Sequence, residues 1–129
     1  MPRTMKKIWQ SLMCIVLVVL QGCAKPNLVV TFKGPGNVFY TVETFNGSGP
    51  VDPDFIRVYA NLQLNGKSDR ALVLDGGYLT VPYIGWSNPS EVKICVKGGS
   101  IHEFHQEVKL SAGGEEKIIY SRITSICKK

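Results

Sequence analysis

The residues of this chain best equipped for chemistry are four cysteines, two histidines and a few dispersed carboxylates. Cys23 stands out by position. It closes the apolar run in VLVVLQGCAKP, directly after Gly22. Its thiol can act as a nucleophile or carry a covalent group. His102 and His105, in HEFH, could share a metal on a helix. On a strand, the odd separation sends them to opposite faces. Strand is the better reading of that segment, so both are expected as surface histidines. Gly47-Ser48-Gly49 lacks the outer spacing of a nucleophile elbow. Gly34-Pro35-Gly36 and Gly76-Gly77 precede no helix, so neither builds a phosphate cradle. Asp52, Asp54, Asp69 and Asp75 fall in loops and make a weak calcium set at best. No catalytic constellation emerges, so the expectation is a non-enzymatic protein with no metal and no cofactor.

The segment before Cys23 explains its position. MPRTMKK carries Arg3, Lys6 and Lys7 and no acid, and Ile8 to Leu20 is apolar apart from Gln10 and Ser11. A basic start, a short apolar middle and a small residue at the end describe a secretory signal. The run is shorter than the ~20 residues that span a bilayer comfortably, and no second such run follows. Leu20-Gln21-Gly22-Cys23 resembles the lipobox of bacterial lipoproteins, with an aliphatic residue at −3 and a small one at −1. Gln21 at −2 departs from the small residue commoner there. The resemblance, confined to residues 1–23, implies a signal peptide over 1–22. It also implies diacylglycerol on the Cys23 sulfur, cleavage before Cys23 and acylation of the new amine. Each buried methylene contributes about 0.8 kcal/mol, so two or three chains anchor the protein in membrane lipid effectively permanently. In enteric-type bacteria, Asp after the cysteine retains lipoproteins in the inner membrane. Ala24 therefore implies the outer membrane, with the domain facing the periplasm.

This processing changes the charge balance. The whole chain has a formal charge of +5, but three basic residues leave with the signal. Residues 23–129 keep twelve basic and ten acidic side chains, a net of +2. The basic residues are scattered and not interleaved with aromatics, so no nucleic-acid partner is expected. With Cys14 in the discarded signal and Cys23 carrying lipid, Cys95 and Cys127 remain as a pair in an oxidising compartment. They are expected to form a disulfide.

The rest of the chain must supply the scaffold. Residues 23–27 form a short tether and 28–129 a single domain. Leu28 to Phe32, Val38 to Phe45, Arg70 to Leu74 and Tyr78 to Tyr83 read as strands, the last marked by Pro82 as an edge or a strand end. FIRVYANLQL, residues 55–64, alternates most clearly. Ile56, Val58, Ala60, Leu62 and Leu64 share one face, with Arg57, Asn61, Gln63, Phe55 and Tyr59 on the other. Asn65-Gly66 starts a turn. EVKICVK (91–97), IHEFHQEVKL (101–110) and Glu115 to Ile126 read as three more strands, and IGWSNPS as a loop. Seven or eight short strands with frequent turns imply an all-β fold, a small antiparallel sandwich.

Function is then expected at the loops, because the apolar faces are needed inside. Gly47 to Asp54 and Ile84 to Ser90 are stiffened by proline and carry exposed polar groups. Asp52, Asp54, Trp86 and Asn88 are therefore the candidate partner-binding residues, although for Trp86 the better reading is a cap on the open end of the core. The architecture is similar to the small β-sandwich lipoprotein of type VI secretion systems. The expectation is a membrane-anchored interaction module of the envelope. The alternative is an immunity or inhibitor lipoprotein that neutralises a secreted toxin or cell-wall hydrolase.

Overall fold

The computed structural model of the protein describes residues 25–47 and 54–127. Among them the secondary structure is all β: β1 (Leu28–Lys33), β2 (Val38–Phe45), β3 (Phe55–Leu64), β4 (Lys67–Gly77), β5 (Thr80–Asn88), β6 (Glu91–Lys97), β7 (Ser100–Phe104), β8 (Glu107–Ala112) and β9 (Glu115–Thr124). They form a five-stranded sheet, order β1-β2-β3-β4-β7, and a four-stranded sheet, order β5-β6-β9-β8. Among these residues no helix is long and apolar enough to cross a membrane.

Alternation builds the core. Ile56, Val58, Ala60 and Leu62 of β3 are fully or nearly fully buried, as are Val38, Tyr40 and Val42 of β2. Val92 and Ile94 of β6, Val108 and Leu110 of β8 and Ile119 of β9 face them from the other sheet. One polar pair crosses this interior: the hydroxyls of Tyr40 and Ser121 hydrogen-bond at 2.7 Å. Burial pushes the Tyr40 phenol up to about 12, against a smaller opposing effect of the Ser121 hydrogen bond.

The sequence reading holds most closely where turns are tight. Asn65 and Gly66 have φ of 53° and 73°, the left-handed pair of a type I′ hairpin turn. That turn sets Leu64 opposite Lys67 at once, so β4 begins three residues before the expected Arg70. Three further differences have physical reasons. Ile84–Asn88, expected as a loop, continues β5 and pairs with β6. Pro82 is tolerated because β5 is a sheet edge. The expected strand over 101–110 is two strands in different sheets. His105 N–H donates to Val73 O of the large sheet, and Gln106 O accepts from Ser121 N–H of the small one, both at 2.8 Å. The chain therefore changes sheets at His105-Gln106. That crossover lets β9 lie parallel to β6, the one parallel pair among the described strands. Among the described residues the strands number nine, not seven or eight.

Candidate functional site

Cys23 and Asp52 lie outside the described residues. The other residues singled out from the sequence are placed as follows. Cys95 is buried on β6 and paired with Cys127, with Cα atoms 5.2 Å apart, inside the span a disulfide bridges. The bridge ties the C-terminal segment to the outward side of the small sheet. Beside it, Tyr83, Gly85, Trp86, Lys93, Thr124 and Ile126 line a shallow cleft of about 300 Å³.

Trp86 lies on β5, and its ring stands edge-on to Tyr40 with centroids 5.5 Å apart. Its Nε1 is buried without a hydrogen-bond partner. A Cβ on Gly34 would collide with the ring, so the glycine is what lets the β1–β2 turn close over the indole. Asn88 shapes the next turn, its Oδ1 accepting from Ser90 N–H at 2.9 Å. Asp54 accepts from Gly47 N–H at 2.9 Å, and its carbonyl accepts from Tyr78 N–H at 3.0 Å. Tyr78 precedes β5 whereas Asn88 ends it. At ~3.3 Å per residue, the length of that strand separates Asp54 from Asn88. Asp54 and Asn88 therefore sit at opposite ends of the sandwich. Tyr78 itself was not foreseen. It is 69% exposed with φ of 55°, a costly conformation for a bulky residue.

His102 lies near Ser100, its Nε2 3.5 Å from Ser100 Oγ. His105 Nε2 is 2.8 Å from Glu103 Oε1. Among the described residues no three metal-ligating side chains cluster.

The outward face of the five-stranded sheet carries the densest functional chemistry. In register across β2, β3 and β4 stand Glu43, Arg57 and Asp75. The rings of Phe45 and Phe55 stack 4.7 Å apart, and the Arg57 guanidinium lies 5.5 and 5.3 Å from their centroids. Arg70 lies 3.7 Å over the Tyr59 ring and 3.2 Å from Glu43 Oε2. Glu43 is only 8% exposed and Phe45 5%, although both point away from the core. The Glu43 Oε2 atom meets Arg70 as an ion pair and not in hydrogen-bond geometry. Asn61 donates to the Phe39 and Tyr59 carbonyls and to Thr41 Oγ1. Each arginine is thus held by a ring and an acid, and each ring by a neighbouring strand. The surface is preformed and rich in Arg, Tyr and Phe, residue types enriched at protein interfaces.

The sequence did carry this signal. VFYTVETF places Phe39, Thr41, Glu43 and Phe45 in the outward phase, and FIRVYANLQL does the same for Phe55, Arg57, Tyr59 and Asn61. Aromatics in the phase assigned to solvent mark a face that is not simply wet. By fold the molecule is a small two-sheet β-sandwich. Comparison with protein-family models, curated proteins and solved structures gives no match.

Proposed function

We propose that the protein is a membrane-anchored lipoprotein of the bacterial envelope, a non-enzymatic module that binds another protein from the periplasmic side of the outer membrane. The observation that carries the binding role is the outward face of the five-stranded sheet. There Arg57 and Arg70 are fixed over Phe45, Phe55 and Tyr59. Side chains fixed beforehand lose less entropy on association, which favours affinity. Anchorage rests on Leu20-Gln21-Gly22-Cys23. Asn27 is already bonded to Thr44 and Asn46 of the sheet, so a tether of residues 24–26 reaches at most about 11 Å at ~3.5 Å each, and the partner must lie close to the membrane.

Two measurements test the two parts. Metabolic labelling with palmitate should mark the native protein and not Cys23→Ala; label retained in the variant would remove the anchor. For binding, Arg57→Ala should weaken co-isolation of the partner from cross-linked envelopes, while Lys93→Ala on the other sheet leaves it unchanged. Equal behaviour of the two variants would contradict the assignment. An assembly partner would come from a secretion or envelope complex. Recovery of a toxin or a cell-wall hydrolase would instead favour the immunity or inhibitor reading.

A further inference from the structure

We infer that β1 is a homotypic docking edge, through which two copies of this chain pair their Leu28–Lys33 strands antiparallel about Val30. The two five-stranded sheets then become one continuous sheet.

The argument begins with the sheet edges. An open edge presents unpaired N–H and C=O groups, and folded proteins usually blunt it. The edge strand β5 contains Pro82 and two register shifts. The edge strand β7 has five residues, a register shift against β4 and the charge of Glu103. The edge strand β8 carries Glu107 and Lys109. β1 has none of these devices. Its six residues pair with β2 without a shift, it contains no proline, and its first charge is Lys33 at the far end. Among the described residues no strand pairs with its outer side.

The side chains specify the kind of occupant. Val30 and Phe32 stand opposite Val42 and Tyr40, both core residues, so Leu28, Val30 and Phe32 share the inward face. Val29 and Thr31 point the other way. Leu28 is 57% exposed and Val30 39% on the inward side, and Val29 is 50% exposed on the outward side. Apolar surface is therefore left bare on both faces of one strand. A flat membrane or a groove covers one face. A strand that continues the sheet covers both, with its own two rows of side chains.

The sequence of β1 also fits itself. Antiparallel partners must keep inward rows together. The register centred on Val30 sets Val30 against Val30 of the second copy, Leu28 against Phe32 and Val29 against Thr31. Every pair is apolar or β-branched, the favoured cross-strand combinations. Lys33 falls opposite Asn27, so no like charges meet. Centring on Thr31 keeps Val30 against Phe32 but sets Lys33 against Val29 and Leu28 against Gly34, leaving one apolar pairing on the inward row instead of two. Six paired residues bury less than the ~1,200–2,000 Å² of a standard stable interface, so the association is reversible and grows with concentration.

Site-directed cross-linking of the full-length protein tests the pairing and its register. The measurement is made in isolated membranes and on concentrated protein in detergent, with the unsubstituted chain as background. Directly opposite Cβ atoms lie ~4.5–5.5 Å apart, close enough for a disulfide to close with a small adjustment. Mild oxidation of Val30→Cys should give a dimer whose mapped peptide is position 30 joined to itself. Val29→Cys and Thr31→Cys should each give several-fold less, because each faces the other across the axis. The double variant Val29→Cys/Thr31→Cys should restore the dimer. Equal cross-linking at all three positions would overturn the proposal, and so would no dimer from Val30→Cys in either preparation. Cross-linking of Val30→Cys only to a different protein would reject the second copy as the occupant.

Discussion

The outward face of the five-stranded sheet seats aromatic rings beneath arginines and buries Glu43 and Phe45. The outward face of the four-stranded sheet is built differently. Glu91 pairs with Arg122, and Lys109 lies 3.2 Å from Glu116, all along a solvated surface. Both faces follow from the same alternation along their strands, yet one seats its arginines on aromatic rings and the other pairs exposed charges. The Cys95–Cys127 bridge ties the C-terminal segment to the small sheet at one end. Period-two patterning therefore decides which residues leave the core, while cross-strand neighbours decide whether they are fixed. Binding energy concentrates where side chains are already fixed and partly desolvated.

Substitutions separate the two faces from each other and from the core between them. The largest effect is expected inside, where the two sheets meet. Trp86→Ala should cost about 3 kcal/mol or more, the lower part of the range for removing a packed tryptophan, because it empties the space between Tyr40 and Gly34. Denaturant unfolding measures this. A loss near zero, with weakened partner binding, would make Trp86 a surface anchor and not a packing residue.

Next comes the staple of the small sheet. Cys95→Ser should cost roughly 2 to 5 kcal/mol, the usual range for a disulfide in a small exported domain. Two thiols freely alkylated in the oxidised native protein would refute the bridge.

The polar bridge between the sheets follows. Tyr40→Phe should cost about 1 to 3 kcal/mol, because Ser121 Oγ stays buried and loses its partner. The raised phenol pKa also sets a sign with pH. The folded state favours the neutral phenol, so its contribution is fully present below pH 10 and is lost as pH rises from 10 towards about 12. Unfolding free energy followed through that window should fall more steeply for the native protein than for Tyr40→Phe. Parallel curves would contradict the buried neutral phenol.

The smallest effects compare the two outward faces directly. Arg70→Ala should cost about 1 to 2 kcal/mol, since it uncovers the buried Glu43 carboxylate. This is less than the ~3–5 kcal/mol for a fully buried pair, because Arg70 is half exposed. Lys109→Ala should change stability by at most ~0.5 kcal/mol, as exposed pairs do. Equal losses by thermal denaturation would remove the distinction between the faces.

How far the sequence foretold this is clearest at particular residues. The strands 38–45, 55–64 and 91–97 were legible to the residue, because alternation, β-branched side chains and bounding turns agree there. The disulfide was legible once Cys23 was assigned to lipid. The division at His105-Gln106 was not, since apolar alternation runs through it and only the tertiary hydrogen bonds to Val73 and Ser121 mark the change of sheet. Gly85, Asn88 and Pro89 around Trp86 read as a loop, whereas its ring follows the inward phase of β5. The Arg–aromatic face was written in the spacing of β2 and β3 but needed the register between them to become a surface.

The proposed binding role requires that this face, and not the small sheet, meets the partner. The direct measurement is in-cell photo-cross-linking from a reactive amino acid placed at Tyr59 or at Tyr120, which occupies the outward side of β9. The account predicts a discrete adduct from position 59 that disappears with Arg57→Ala, and none from position 120. An adduct from position 120 alone, or none from position 59, would contradict it.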